Sequence, residues 1–361
     1  MNDKSISSQQ QAYLIFLLLV GSSLVFITGN AAAQDAWIAT LLGSGAGLYV
    51  LYTIIKLHDM FPGQRITQIS TTVLGKIPGT FLNALFLWGT FAILATFLFD
   101  IIMLLEITYP LLPRTILYPL LVLPCCYCLY KGFSGLGRLG EVIIWVTFLS
   151  LGLGFLVALP LIELGNLKPI LTAWKPLVAG TLYTADWPFD EVVIFALFLP
   201  MVSDLKKNKS KLYFGYLLGA LFLLISGFLI IATLGAKLAD LSQFPLFEVS
   251  RLAGFGDFQR VELIFFLLWF VTGIMTIMIY YQGLNLIVQD LFALKNDKTL
   301  ILPLGLCLVV FTLYMFPNTV EYSLMSFKYL PVYTFPVNLL YPTILLCAAK
   351  FRQKQLQQKA V

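Results

Sequence analysis

The chain is poor in charge. Only 11% of its 361 residues are Asp, Glu, Lys or Arg, under half of the usual quarter. That scarcity excludes an ordinary soluble domain, a nucleic-acid binder and a disordered chain. Histidine is nearly absent, with His58 the one example. A histidine-based triad or zinc site therefore has no second member. No nucleophile and base pair stands out, so enzyme chemistry is not expected, and no cofactor is expected. The five cysteines, Cys125, Cys126, Cys128, Cys307 and Cys347, all fall inside apolar runs without metal-ligand spacing. They read as small packing residues. His58 reads as an interfacial polar residue. The polar segment from Met1 to Gln11 carries no cleavable signal pattern, so the first apolar run is expected to stay in the protein.

Apolar residue types make up 59% of the chain and mean hydropathy is +0.89. A membrane-spanning helix needs about 20 mainly apolar residues. Runs of that kind occupy approximately 12–30, 36–56, 79–105, 115–130, 141–162, 178–202, 211–235, 261–287, 300–316 and 330–349. Their length indicates helices, since the strands of a membrane barrel show about ten-residue alternating segments. The expected fold class is all-α integral membrane with ten transmembrane helices in a single permease-like domain over 1–361. The positive-inside rule orients it. With both termini cytoplasmic, 16 of the 23 Lys and Arg residues lie inside. The cluster from Lys206 to Lys211 fits that bias, and a contact with anionic lipid is its alternative reading.

Ten runs divide into five plus five, with halves at approximately 6–165 and 175–350. An odd number per half inverts the second half in the membrane, as in secondary transporters whose first helix in each half is interrupted near the midplane. Both positions carry an interruption. In the first run, Gly21, Ser22 and Ser23 place three small residues in an aliphatic helix. In the sixth, the stretch from Tyr183 and Thr184 through Asp186, Trp187, Pro188, Asp190 and Glu191 places a proline and three carboxylates in an apolar run. Proline removes a backbone donor, so carbonyls near Thr184 and Ala185 are expected to be freed. Broken helices offer amides for a carboxylate and carbonyls for an ammonium, which makes a zwitterion-sized site.

Plainer readings stand beside these. Small residues serve helix packing, as Gly43, Gly47, Gly215 and Gly219 do in the small-xxx-small pattern, and Pro188 alone would be a kink. An ionised acid at the bilayer centre costs at least about 2.5–3.5 kcal/mol on insertion scales, so intramembrane carboxylates are functional candidates by default. Glu191 is the deepest and reads as a ligand or proton site, or as the structural partner of a neighbouring helix. Asp190 and Glu191 project about 100° apart, so one of the two is expected to face a cavity. Asp100 is a candidate for an outer vestibule.

The residues in order resemble a known family, the endospore germination permeases. These are the B subunits of nutrient germinant receptors, within the amino acid–polyamine–organocation superfamily. The resemblance runs from Ile6-Ser7 and Gln10 through Gly21-Ser22, Gln34-Asp35-Ala36-Trp37, Phe61-Pro62-Gly63, Leu112-Pro113-Arg114-Thr115 and Pro188-Phe189 with Glu191. It continues from Phe244-Pro245 through Arg251-Leu252, Gly256-Asp257-Phe258 and Arg260 to Trp269. Asp190 departs from the family pattern, which often has glycine there, and an added carboxylate favours a more basic or zwitterionic ligand.

The resemblance implies a LeuT-like fold with broken helices 1 and 6, a small-nutrient pocket at their crossing and residence in the spore inner membrane. It also implies assembly with an A subunit and a C lipoprotein subunit, and suggests a partner surface or gate in the outer loop from Ala236 to Arg260. The expected function is a receptor subunit that binds a nutrient, an amino acid above all, and triggers germination. A proton-coupled amino-acid transporter and a scaffold with a vestigial pocket are the alternatives. Membrane lipid is an expected partner and nucleic acid is not.

Overall fold

The computed structural model describes residues 5–171, 173–253, 262–294 and 298–359. The helices are α1 Ser8–Ser23, α2 Ala36–Met60, α3 Ile66–Leu74, α4 Lys76–Thr108, α5 Arg114–Tyr130, α6 Phe133–Ala158 and α7 Trp174–Thr184. They continue as α8 Leu205–Leu241, α9 Pro245–Leu252, α10 Glu262–Leu291, α11 Ile301–Met315, α12 Thr319–Leu324 and α13 Leu330–Lys359. Among the described residues, six elements are long and apolar enough to cross a membrane, and α5 and α11 are shorter apolar helices. Large apolar side chains such as Trp145, Leu149, Val310 and Tyr314 lie exposed on outward faces, where lipid is the solvent. This is an integral membrane protein.

Local chemistry sets the helix boundaries. Ser7 caps α1 by accepting the Gln10 N–H at 3.1 Å, while the Gln10 side chain accepts the Ser7 N–H at 2.9 Å, a reciprocal capping box. Gly75 (φ 92°) and Gly132 (φ 92°) form the corners before α4 and α6, where a Cβ would be strained. Asn318 caps α12 by accepting the Glu321 N–H at 2.9 Å.

The interrupted elements lie at the centre. Helix α1 is buried around nearly its whole circumference, and every residue from Asp190 to Leu197 is buried, as expected for helices that are apolar all round. Helices α8, α10 and α6 surround α1, while α2 and α13 flank the second interrupted element. Glycines set the close approaches. A Cβ on Gly43 would run into Thr184, one on Gly47 into the Phe189 carbonyl, and one on Gly215 into the backbone of Ala12. These glycines therefore have the packing role expected of them.

The first interruption lies later than the small-residue cluster. Gly21 to Ser23 remain helical as the last turn of α1, and the chain leaves the helix over 24–29 before a 3-10 turn at Asn30–Asp35. The Ser22 and Ser23 hydroxyls bond back to the Leu19 carbonyl at 3.2 and 3.0 Å, which keeps that turn closed. The second interruption falls where the proline sits. Helix α7 passes into a π-helical turn at Ala185–Phe189, Trp187 is extended (φ −121°, ψ 122°), and a 3-10 segment follows at Asp190–Leu197.

Other boundaries also moved. The last apolar run begins at α12, before residue 330, and reaches α13 through a π-helical turn at Met325–Tyr329. The described part of the segment expected as an outer loop, residues 236–253, is largely helical, because α8 continues past Gly235 and α9 follows. Gly256, Asp257, Phe258 and Arg260 lie outside the described residues. Cys125 and Cys126 are buried, whereas Cys307 and Cys347 are exposed on outer faces, where a weakly polar thiol meets lipid at little cost.

Candidate ligand site

Where α1 ends without a partner helix, its last carbonyls need donors. Three other elements supply them. The Trp269 indole N–H donates to the Gly21 carbonyl (3.1 Å), the Ser226 hydroxyl to Leu24 (3.0 Å) and the Leu246 N–H to Val25 (3.3 Å). At this first break, α10, α8 and α9 therefore occupy the carbonyls. At the second, where carbonyls near Thr184 and Ala185 are expected to be freed, the Ala185 carbonyl is occupied as well. The π-turn lets it accept the Asp190 N–H across the proline, and the Thr184 hydroxyl bonds the Ala39 carbonyl at 2.9 Å.

Between the two interruptions lies a cavity of about 660 Å³. Phe26 and Thr28 from the unwound stretch line one side, and Tyr183, Asp186, Trp187 and Glu191 line another. Asp100 of α4 and Tyr322 of α12 close a third, while Thr334 and Asn338 of α13 lie along the second interrupted element. Asp240, Gln243 and Thr319 sit at the end where α8 finishes and α12 begins. That is the end opposite the Lys209–Asp59 (2.6 Å) and Arg65–Asp290 (2.7 Å) ion pairs.

Of the nine residues singled out from the sequence, Tyr183, Trp187 and Glu191 line this cavity. Gly21, Ser22, Ser23, Thr184, Pro188 and Asp190 do not line it and form the layer behind it. A Cβ on Gly21 would overlap the Thr272 carbonyl and sit 2.5 Å from the Thr276 hydroxyl, so this glycine lets α1 meet α10. Glu191 is 3% exposed, has the Ser22 hydroxyl as a polar neighbour, and leaves its Oε2 without a hydrogen-bond partner. Its neighbour Asp190 does not line the cavity; the lining Asn338 amide donates to its Oδ1 at 2.9 Å, and its Oδ2 has no hydrogen-bond partner.

Several participants carried no signal in the reading of the chain. Thr334 donates to Asp186 at 2.9 Å, so two acids spaced i, i+4 meet two polar residues with the same spacing on α13. That spacing within the last apolar run was the available clue. Tyr322 donates its hydroxyl to Asp100 and stacks on Phe99 at 4.6 Å, and the Arg114 guanidinium lies 4.9 Å from the centre of the Phe99 ring while pairing with Glu106. Phe26 is the centre of an aromatic cluster, with Trp187 at 5.3 Å, Phe244 at 5.5 Å and Trp269 at 5.7 Å. One unwound residue thereby touches both interruptions and their supports.

The family described as Spore germination protein matches residues 5–320. Spore germination protein KB of Bacillus subtilis (strain 168) is 27% identical over 369 aligned positions, which cover 98% of this chain and 97% of the relative. Spore germination protein A2 of the same organism is 25% identical over 332 positions, covering 88% and 87%. Among solved structures, a substrate-bound, outward-open Na+-coupled sialic acid symporter superposes with a TM-score of 0.64 at 11% identity, covering 95% of this chain and 90% of that one. That likeness shows the fold, a LeuT-like transporter fold with its two interrupted helices. With the profile matched over most of the chain and these relatives aligned nearly end to end, the chain belongs to the spore germination protein family.

Proposed function

We propose that this chain is the membrane-embedded subunit of a nutrient germinant receptor. It binds a small nutrient, an amino acid above all, between the interrupted helices and biases its partner subunits toward germination. In this reading it performs no chemistry on the nutrient. It resides in the spore inner membrane with both termini cytoplasmic, so that the cavity opens away from the end bearing Arg65 and Lys209. Its partners are an A subunit and a C lipoprotein subunit. The proposed contacts are Tyr183, Trp187 and Glu191, joined by Phe26, Asp100 and Asp186. Gly21, Ser22, Ser23, Thr184, Pro188 and Asp190 hold those contacts in place.

The observation that carries the reading is the buried Oε2 of Glu191, unpartnered beside a 660 Å³ cavity. A polar atom left this way in an apolar interior costs about 1–3 kcal/mol, which a ligand donor would offset. Ligand binding can move the equilibrium only if affinity differs between two states. In this reading the difference arises at Phe26 and Trp187, whose rings meet edge to face at 5.3 Å between the two interruptions.

Spores carrying Glu191→Gln test the proposal. The nutrient dose–response should move to higher concentration with the receptor still assembled, and an unchanged response would sink the pocket. Gly21→Leu is the poorer probe, since it would disturb packing first. The second reading, which the family match supports less well, is a proton-coupled amino-acid transporter with Glu191 as the proton carrier. Counterflow of labelled amino acids into proteoliposomes, with and without a pH gradient, separates the two, and robust accumulation would support transport.

A further inference from the structure

The cavity wall is unbalanced in charge. Asp100, Asp186 and Glu191 are buried along it, and Asp240 stands at its mouth. Among the described lining residues there is no Lys, Arg or His. Two of the buried acids already have a donor, Tyr322 for Asp100 and Thr334 for Asp186. Asp240 receives the Asn30 amide at 2.5 Å. Glu191 has the Ser22 hydroxyl as a neighbour, but its Oε2 is buried in the wall with no hydrogen-bond partner, as is Oδ2 of Asp190 in the layer behind. Buried charges are tolerated when paired, and the wall itself supplies no counter-charge.

The shape of the wall selects among cations. An inorganic ion would be held by a small cage of oxygens, whereas this cavity has a volume of about 660 Å³. Its sides carry the aromatic rings of Phe26, Trp187 and Phe327, with Trp187 placed 5.3 Å from Phe26 and 6.4 Å from Phe327. Ring faces attract ammonium groups and bury a methylene chain. Aromatic walls with a few fixed polar groups are how small organic ligands are bound.

We infer that the nutrient is an organic ammonium compound with net positive charge, one nitrogen meeting Glu191 and the remainder lying between the rings toward Asp186 and Asp100. This rests on the receptor reading above and narrows its ligand from amino acids at large to cationic amines. Two sources share that chemistry, a basic amino acid and a diamine without a carboxylate.

The test is thermal unfolding of the full-length protein in lipid nanodiscs at constant ionic strength, with L-lysine, cadaverine, L-alanine, glucose or sodium chloride added. A ligand that binds the folded state raises the midpoint. The expected result is stabilisation by L-lysine, cadaverine or both, at concentrations where L-alanine and glucose have no effect. Stabilisation by L-lysine alone assigns the amino-acid source, and stabilisation by cadaverine assigns the amine. Glu191→Gln should raise the concentration needed by about tenfold or more, as loss of a buried charged hydrogen bond predicts. Asp186→Asn gives an independent variant on the same wall, and Lys209→Gln, at the far end, should leave binding unchanged.

Stabilisation by L-alanine or glucose with no response to either amine would overturn the cationic assignment and leave the receptor reading standing. A response to sodium ions alone would overturn it in favour of an inorganic-ion site. If no compound stabilises the protein and Glu191→Gln spores germinate normally, both the assignment and the pocket fail.

Discussion

Asn338 donates its side-chain amide to Asp190 at 2.9 Å across 148 residues of sequence. This bond ties the last long helix to the residue that begins the 3-10 half of the interrupted element. One turn away, Thr334 does the same for Asp186. Any displacement of α13 is thereby transmitted to the cavity wall through polar contacts in an apolar interior.

Removing the amide should be costly. Asn338→Leu leaves the Asp190 carboxyl buried with no donor, and the expected loss is about 1–3 kcal/mol, read as a lower unfolding midpoint in detergent. The double variant Asp190→Leu, Asn338→Leu should recover most of it, since no polar group is then stranded. A double variant no better than the single one would show that the bond is not what matters there.

The glycines provide an internal contrast. Gly21→Ala places a methyl against the Thr272 carbonyl, whereas Gly45 has nothing within 4 Å of the same position. Overpacking costs about 1–3 kcal/mol, so Gly21→Ala should reduce the yield of monodisperse protein. Gly45→Ala should be neutral or slightly stabilising through helix propensity. Equal behaviour of the two would contradict the proposed α1–α10 contact.

Trp269→Phe keeps a ring beside Phe26 and removes the N–H that satisfies the Gly21 carbonyl. The expected effect is a loss of about 0.5–1.5 kcal/mol in stability. A shift in nutrient dose–response should accompany it, because the unwound stretch carrying Phe26 is anchored there. Trp269→Leu, which also removes the ring contact, should be worse on both measures.

The N-terminal segment responds to pH in a defined direction. The Ile6 N–H donates to the Met201 carbonyl and the Ser203 N–H to the Ile6 carbonyl, both at 3.0 Å, and Asp204 accepts the Ser8 N–H at 2.6 Å and the Asn208 amide at 2.5 Å. Partial burial pushes the Asp204 carboxyl up, but the hydrogen bonds from Ser8 and Asn208 outweigh it and hold it below the usual carboxylate range. A carboxyl with a depressed folded value contributes stability above its unfolded value of about 3.9 and loses it as pH falls through the folded value. Protease protection of residues 5–8 should therefore be constant from neutral pH down to about 4, then fall. Asp204→Ala should abolish protection at every pH.

Much of the architecture was legible because bilayer chemistry acts on composition. Apolar runs of sufficient length must be helical, since every backbone group needs an internal partner. The proline and acids between Tyr183 and Glu191 marked one interruption for the same reason. Gly21 to Ser23 were misleading in part. Small residues announce a close approach, but whether the approaching group is a ligand or a neighbouring helix depends on what lies opposite, and here Thr272 and Thr276 do. Asp190 and Glu191, adjacent in sequence, have different surroundings because helix geometry sends one toward Asn338 and the other to the cavity wall.

By itself, the sequence determined that this is a multi-helix membrane protein with two interrupted elements and a cluster of acids on one of them, because hydropathy, proline geometry and the cost of intramembrane charge act locally. Only the tertiary structure decided which acid lines the cavity and which donor each one meets. Thr334, Asn338, Tyr322 and Trp269 lie far from their partners in sequence, and a hydrogen bond depends on where two helices pack rather than on where either begins.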